Sequence, residues 1–258
     1  MAMYDNDNTV KASFDLSYIT EYLQQAQWAE LIELKKVITR LYKQKQAPIR
    51  IFDIGIGNAR VPKHLSLIHE IWEMVEVYDG IDNAEACVTL STAAAKELQI
   101  TDKVTATLFD AIKLNEWPQK YDLVLCTWFT PGNFYPDGFD FKHYMKDGKR
   151  LSLEQNPNFV KVFKGAYQLL NDGGELVLGA TYIHNDATRI KQEEAYTKMG
   201  MHIITDKQDS FTATKEGFWS QRFTNEQLMR YLSFAPGQNI HFIPLDTYEY
   251  AQQVLIKK

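Results

Sequence analysis

The chain has 258 residues, of which 45% are hydrophobic, so it is long enough to bury one sizeable core. Its formal net charge of −5 comes without a basic block, which weighs against binding of nucleic-acid phosphates. The two cysteines form no CxxC pair, so the sequence indicates neither a metal knuckle nor a disulfide framework. A polar N-terminus and the lack of a long apolar run predict a cytoplasmic protein without a membrane segment.

Helical and strand patterns alternate in the first half of the chain. Apolar residues at helical spacing over 28–42, among them Trp28 and Ile32, predict an amphipathic helix that packs on a sheet. The run "IRIFDIG" then predicts a buried strand, and "ARVPKHLSLIHEIW" predicts a helix with Pro62 in its first turn. Two further strands are predicted from "VEVYDGID" and "KVTATLFDA", separated by the helical segment "AEACVTLSTAAAKEL".

The alternation continues in the second half. The apolar run "YDLVLCTWF" is typical of a strand buried on both faces, and residues 159–182 predict a helix, a glycine break and another buried strand. Residues 188–200 and 225–234 predict helices, and 239–246 and 250–258 predict a closing antiparallel hairpin. Strands that alternate with helices indicate an α/β fold with a parallel sheet and right-handed crossovers.

The stretch "IFDIGIGNAR" places Asp53, Gly55 and Gly57 at the end of the first strand. In an open parallel sheet, ligands bind beyond the carboxyl ends of the strands, so these residues are placed for a ligand. The dinucleotide fingerprint requires a third glycine where this chain has Arg60, which disfavours a nicotinamide cofactor. Asp53 would repel a phosphate, so the turn favours a cationic ligand.

The segment "DIGIGNA" resembles the first motif of the class I S-adenosylmethionine-dependent methyltransferases, with Ala59 in place of the usual third glycine. Similar segments follow in the same order over residues 47–182. The resemblance implies a Rossmann-like fold with a mostly parallel seven-stranded sheet, helices on both faces and a C-terminal antiparallel hairpin. It also implies a single domain, with the following parts: an N-terminal helical cap (1–46), a cofactor-binding core (47–182), an acceptor lid (128–157), and C-terminal helices and strands (183–258).

The same resemblance implies S-adenosylmethionine as the cofactor. Asp53 would lie near its amino group, Asp82 would accept hydrogen bonds from the ribose hydroxyls, and Asp110 would meet the adenine amino group. The other implied cofactor contacts are Gly55, Gly57, Asn58, Ala59, Asn83, Ala111, Thr127 and Trp128. A single strand-terminal aspartate is more often a cap or turn residue, but three at successive strand ends favour a ligand site. Asp79 competes with Asp82, although a turn role is favoured for it.

Three other side chains receive structural interpretations. Arg60 is predicted to be a solvated residue of the first helical turn, and Cys126 a buried small hydrophobe. Tyr18 is predicted to lie in an early helix, where core packing is favoured over a position above the cofactor. His64 and His69 are assigned no chemistry.

The segment 128–157 is too long for an ordinary strand-to-helix loop and is rich in aromatic residues. Its aromatic rings predict a lid that binds a planar or cationic acceptor, although a satellite core beneath the loop is an equal alternative. The later stretch "FTATKEGFWSQRFT" could close the same pocket or form a hairpin at the sheet edge. The predicted acceptor contacts are Phe129, Phe134, Tyr135, Tyr144, Trp219 and Arg222, with Phe139 and Phe218 nearby.

The candidate proton acceptors are His143 in the lid and His184 after the fifth strand, because an imidazole titrates near neutrality. A surface position is the commoner role for such histidines. The segment "CTWFTPGNF" offers no acidic metal ligands and lacks the [DN]-PP-[YF] motif of amino-methylating DNA and protein enzymes. The sequence therefore predicts metal-free, in-line N- or O-methylation of a small molecule. The alternatives are a nucleotide-binding oxidoreductase and a catalytically silent S-adenosylmethionine-binding module.

Overall fold

The computed structural model describes residues 20–144, 150–246 and 249–258; Tyr18 and the start of the predicted helical cap lie outside these ranges. The helices are α1 (Glu21–Lys45), α2 (Arg60–Ser66), α3 (His69–Trp72), α4 (Glu85–Glu97), α5 (Pro157–Gln168), α6 (Asp186–Lys198) and α7 (Asn225–Tyr231). The strands are β1 (Ile49–Ile54), β2 (Val75–Asp82), β3 (Val104–Leu108), β4 (Tyr121–Cys126), β5 (Leu170–Ile183), β6 (Phe211–Ala213), β7 (Trp219–Phe223), β8 (Ile240–Pro244) and β9 (Ala251–Lys257). Short 3₁₀ helices cover Ala111–Glu116, Thr130–Asn133 and Gly237–Asn239.

The central sheet has the order β3-β2-β1-β4-β5 with all five strands parallel, followed by β9 and β8 as an antiparallel hairpin. This arrangement confirms the predicted fold class and its C-terminal hairpin. Crossovers between the parallel strands bring the carboxyl ends of β1 to β5 to one edge of the sheet. That edge is where a ligand site is expected.

The sheet of the described residues has nine strands rather than the predicted seven, because β6 and β7 form an additional hairpin. Strand β7 pairs in parallel with Tyr182 and Ile183, at the far end of β5. Since Tyr182 also pairs with Ala251 of β9, β7 lies on the β4 side of β5, beyond the end of β4. The hairpin therefore extends the sheet at its ligand-binding edge.

Alternate residues of the buried strands face two separate apolar layers. In β1, Ile49 and Ile51 pack with α1, α2 and α4, whereas Phe52 and Ile54 pack with α5 and α7. Strand β4 divides in the same way, with Leu123 facing the first layer. Helices thus cover both faces of the sheet, and in the part of the chain that the structure describes no helix is long and apolar enough to cross a membrane.

Helix α1 corrects the predicted buried face of the first helix. Trp28 is 57% exposed and Ile32 is 48% exposed, whereas Glu30 is buried. The buried stripe passes through Ala26, Glu30 and Leu34, at four-residue spacing, so Trp28 and Ile32 fall to its side. The predicted helix over residues 59–72 is also divided into α2 and α3.

Candidate functional site

A cavity of about 620 Å³ lies at the carboxyl ends of the parallel strands. It is lined by all the predicted cofactor residues except Ala59, and by part of the predicted acceptor set. The predicted residues in its wall are Asp53, Gly55, Gly57, Asn58, Asp82, Asn83, Asp110, Ala111, Thr127, Trp128, Phe129, Phe134 and Tyr135. The fold therefore gathers residues from four successive strand ends around one space.

The turn between β1 and α2 has a backbone that favours glycine. Gly55 and Gly57 have φ values of 79° and 59°, and Ala59 also adopts a left-handed φ of 59° as the N-cap of α2. A Cβ atom on Gly55 would lie 2.8 Å from the Cγ2 atom of Thr130. Ala59 is buried in the layer beneath the turn rather than in the cavity wall. The turn is thus a close-packed cradle that a larger residue at position 55 would fill.

Asp53 is a buried carboxyl group beneath this turn, with 2% of its surface exposed. The hydroxyl of Tyr78 donates a hydrogen bond of 2.6 Å to its Oδ2, whereas its Oδ1 has no hydrogen-bond partner among the described residues. Burial raises the pKa of Asp53 to about 7, against the lowering effects of the Tyr78 hydrogen bond and the Arg60 charge. A buried acceptor left unpaired is costly, so this oxygen suits a cationic donor.

Asp82 connects the end of β2 to the glycine turn. Its Oδ2 accepts a hydrogen bond of 3.1 Å from the backbone N–H of Gly57, and its Oδ1 accepts one of 3.0 Å from Ala84. Burial raises the pKa of Asp82, while these backbone hydrogen bonds act in the opposite direction. Each carboxylate oxygen keeps a further lone pair for a ligand hydroxyl.

Asp110 and Asp79 occupy different settings. Asp110 is exposed at the cavity wall, and its Oδ1 accepts a hydrogen bond of 3.0 Å from Ile112, which caps the following 3₁₀ helix. Asp79 lies within β2, and its Oδ2 accepts a hydrogen bond of 2.7 Å from Tyr121. The turn role predicted for Asp79 is therefore corrected to a side-chain pairing within the sheet.

A strained turn follows β4. Trp128 and Phe129 have consecutive left-handed φ values of 55° and 60°, which are rare for bulky residues and cost about 1–3 kcal/mol each. The backbone N–H of Phe129 donates to the Ala180 carbonyl at 2.8 Å, and its ring stacks on Tyr182 with centroids 3.8 Å apart. Contacts from β5 thus hold the strained turn against the cavity.

The buried Glu30 of α1 joins the same turn to the start of α2, and the sequence interpretation missed it. Its Oε1 accepts hydrogen bonds from the backbone N–H groups of Trp128, at 2.8 Å, and Ala180, at 2.6 Å. Its Oε2 pairs with Arg60, whose guanidinium lies 5.1 Å from the centroid of a Trp128 ring. A Cβ atom on Gly179 would overlap the Glu30 carboxylate. The sequence signal that could have identified Glu30 is its position, as a charged residue, within the apolar stripe of α1.

The prediction that Arg60 is a solvated residue is wrong. Only 17% of its side chain is exposed, and it lines the cavity together with Asp53. His64, which received no role, also lines the cavity, and burial lowers its pKa. Cys126 is buried in the apolar layer, as predicted for a small hydrophobe.

The wall beyond β5 contains aromatic and methionine side chains that sequence reasoning largely missed. Tyr196 lies on α6, and its ring meets Phe218 edge-on with centroids 4.5 Å apart. Burial raises the pKa of Tyr196 to about 12, although hydrogen bonds lower it. The residues of this wall are Tyr182, Tyr196, Met199, Met201 and Phe218. They come from β5, from the end of α6 and from the loop before β7, so only the tertiary structure brings these three parts together.

Three predicted acceptor residues lie outside the cavity. Trp219 is 1% exposed and stacks on Phe211 with centroids 3.9 Å apart, and the hydroxyl of Tyr144 donates a hydrogen bond of 2.8 Å to Asp209. Both side chains belong to the apolar cluster that contains Leu153 and Phe211, as does Phe139. This is the satellite core that was the alternative to an acceptor lid, so Phe134 and Tyr135 face the cavity while their neighbours stabilise the loop.

The third, Arg222, is fully buried in a polar network of the β6–β7 hairpin. Its guanidinium donates to the hydroxyl of Thr212 at 2.7 Å and to the carbonyl of Phe211 at 3.2 Å. Burial lowers the pKa of Arg222 to about 10. Its role in this structure is to hold the hairpin together rather than to line the cavity.

Neither candidate catalytic histidine lines the cavity. His143 is exposed, and its Nδ1 lies 2.7 Å from Oδ2 of Asp140 on the same loop. His184 follows β5, where its backbone N–H donates to the Phe223 carbonyl at 2.9 Å, and burial lowers the pKa of its ring. The described ranges contain no group of three or more His, Cys, Asp or Glu side chains that could hold a metal ion.

Comparisons with known proteins extend the fold assignment. No family model and no curated protein sequence matches the chain. Among solved structures, the chain is similar to an S-adenosylmethionine-dependent methyltransferase from Clostridium acetobutylicum ATCC 824, with 11% identity, a TM-score of 0.55, and coverage of 97% of this chain and 95% of the other.

Two further structures have the same overall similarity. Magnesium protoporphyrin IX methyltransferase from Synechocystis PCC 6803, with bound SAH, gives 11% identity, a TM-score of 0.54, and coverage of 93% and 88% of the two chains. A possible exported protein from Bordetella parapertussis gives 15% identity, a TM-score of 0.56, and coverage of 88% of this chain and 67% of the other. At these identities the likeness concerns the fold: this chain has the Rossmann-like fold of class I methyltransferases.

Proposed function

We propose that the protein is an S-adenosylmethionine-dependent methyltransferase that acts on a small molecule. The observation that carries this proposal is the unpaired oxygen of Asp53, buried beneath a close-packed glycine turn at the ligand-binding edge of this fold. It suits an ammonium group, and the neighbouring Asp82 has lone pairs to accept from two hydroxyls. The two carboxyl groups therefore fit the amino-acid and ribose parts of the cofactor.

When bound, S-adenosylmethionine supplies an electrophilic methyl group on a sulfonium. Asp53 would hold its ammonium group, Asp82 its ribose, and Asp110 with Ala111 its adenine. The strained turn at Trp128 and Phe129 also lines the cavity, and it follows β4, which lies between β1 and β5 in the sheet. In this arrangement the protein would act mainly by aligning the acceptor and excluding water.

The acceptor is proposed to be a small molecule with an aromatic or other flat apolar part, methylated on nitrogen or oxygen by in-line transfer. Support comes from the wall formed by Phe129, Tyr182, Tyr196 and Phe218, whose rings offer flat apolar surfaces and hydroxyl groups. The name of the similar Synechocystis enzyme also refers to a small molecule, a porphyrin. Phe134 and Tyr135 are proposed as further acceptor contacts.

Binding measurements test the cofactor. We expect calorimetry on the full chain to detect binding of S-adenosylmethionine and of its demethylated product. Asp53→Asn should weaken the binding of S-adenosylmethionine by about 1.5–3 kcal/mol, as expected for loss of a charged hydrogen bond. Asp79→Asn is the matched control, because Asp79 lies within β2, pairs with Tyr121 and does not line the cavity. Absence of binding to both forms of the cofactor contradicts the proposal.

Turnover is tested separately, by incubation with S-adenosylmethionine and metabolite extracts. Mass spectrometry should detect the demethylated cofactor and products heavier by one methyl group. Binding without turnover on any extract would favour the catalytically silent module. Binding of a nicotinamide dinucleotide in place of S-adenosylmethionine would favour the oxidoreductase.

A further inference from the structure

The first turn of α2 brings a guanidinium to the cavity wall beside the buried carboxyl group of β1. Arg60 and Asp53 both line the cavity, and the positive charge of Arg60 acts on the Asp53 carboxyl to lower its pKa. These are side chains of opposite charge on the same part of the wall. An α-amino acid group also carries opposite charges, on its ammonium and its carboxylate, separated by a single carbon.

Arg60 retains unused hydrogen-bonding capacity. One guanidinium nitrogen, Nη2, donates to Glu30, whereas the buried Nη1 has no partner in the described parts of the chain. A guanidinium presents several N–H donors in a planar fork that matches a carboxylate. The unpaired Nη1 of Arg60 thus complements the unpaired Oδ1 of Asp53, one as a donor and the other as an acceptor.

Glu30 and Trp128 hold Arg60 in place without saturating it. Glu30 is itself fixed by the backbone N–H groups of Trp128 and Ala180, and the Trp128 ring lies beside the guanidinium. An orientation fixed in this way reduces the entropy lost when a ligand binds. The surroundings therefore present a pre-positioned cation in a cavity whose wall otherwise contains several acids.

We infer that Arg60 binds the carboxylate of the bound amino-acid group, while Asp53 binds its ammonium. The inference rests on the proposed function for the identity of the ligand. It assigns Arg60 a second role besides its pairing with Glu30. It also explains how a cavity rich in acids would accept a cofactor that carries a carboxylate.

Decarboxylated S-adenosylmethionine gives a direct test, because it lacks only the group that Arg60 is proposed to bind. Calorimetry should show that the wild-type chain binds S-adenosylmethionine about tenfold to a hundredfold more tightly than the decarboxylated form, as expected for a charged hydrogen bond. Arg60→Met should remove most of this preference, and Arg60→Lys should restore part of it. Lys63→Met is the control, since Lys63 lines the cavity one turn further along α2.

The outcomes separate this inference from the proposed function. Equal loss of both ligands in Arg60→Met, with the preference unchanged, would assign Arg60 to support of the turn and overturn the inference. Loss of the preference in Lys63→Met alone would move the carboxylate site to Lys63. Equal affinity of the wild-type chain for both ligands would also overturn the inference, but the proposed cofactor would still stand. Binding of neither ligand would overturn the proposed function. Melting temperatures show whether each variant is folded.

Discussion

The two sides of the cavity differ in how their residues are assembled. On the side of β1 to β3, three acids line the cavity, each at or just after the end of its own strand: Asp53, Asp82 and Asp110. On the side of β5, the wall combines residues from a strand, a helix and a loop, and Trp219 packs into a satellite core instead. Local chain geometry therefore organises the proposed cofactor side, while long-range packing organises the acceptor side.

Trp219→Ala should have the largest effect and should separate the two sides most clearly. Removal of this buried ring is expected to lower the free energy of unfolding by about 3–5 kcal/mol, as for other large-to-small core substitutions. Cofactor affinity of the folded variant should stay within about twofold, because Trp219 lies outside the cavity wall. Chemical denaturation and calorimetry measure the two quantities. A stable variant with lost acceptor binding would return Trp219 to the acceptor site.

Asp82→Ala tests the opposite side. The affinity for the proposed cofactor should fall by about 1–3 kcal/mol, because the ribose hydroxyls would lose their proposed acceptor and the Gly57 N–H would lose its observed one. Adenosine is a useful second probe, since it retains the ribose and lacks the amino-acid end. Asp82→Ala should weaken adenosine binding in calorimetry, whereas Asp53→Asn should leave it unchanged. Equal effects of the two variants on adenosine would refute the assigned division of the cavity.

The pKa of Asp53 predicts a pH dependence of smaller size. An ammonium ligand requires the ionised carboxyl group, so affinity for S-adenosylmethionine should rise between pH 6 and pH 7, below the range in which α-amino groups lose their proton. At pH 6 it should be about tenfold below the value for a fully ionised carboxyl group, because about one carboxyl in ten is then ionised. Calorimetry in two buffers of different ionisation enthalpy should detect proton release near pH 7. Asp53→Asn should abolish both effects, and a wild-type affinity that does not vary with pH would contradict the assignment.

The same shift has a consequence for stability of the unliganded protein. The pKa of Asp53 is raised in the folded state from 3.8 to about 7, so the folded protein binds this proton more tightly than the unfolded chain. The contribution of this group to the free energy of unfolding is therefore greatest below about pH 4 and is lost as the pH rises to about 7.

His143→Ala should have the smallest effect. The ring is exposed and paired with Asp140. Cofactor affinity and turnover should therefore stay within about twofold of the wild-type values, and the melting temperature within about one degree. His184→Ala is the companion variant, because His184 also lies outside the cavity wall. A large loss of turnover with unchanged affinity in either variant would restore that histidine as a proton acceptor.

Periodicity and turn chemistry were sufficient to predict the α/β class, the succession of strands and helices along the chain, and the closing hairpin. They also placed Asp53 at the ligand-binding edge, and the methyltransferase resemblance added Asp82 and Asp110 at the ends of the next two strands; parallel strands joined by crossovers direct their carboxyl ends the same way. Each of these residues is defined by its position relative to its own strand. Distant contacts were not needed to predict where they meet.

Only the tertiary structure decided which aromatic side chains face the cavity, and it alone revealed the Glu30–Arg60 pair. Glu30 is separated from Ala180 by 150 positions, yet the hydrogen bond between them determines how the turn after β4 is held. Likewise, Trp219 and Phe218 are adjacent in sequence, but one packs in the satellite core and the other lines the cavity. Burial of a side chain depends on what packs against it from elsewhere in the chain, and local composition carries little of that information.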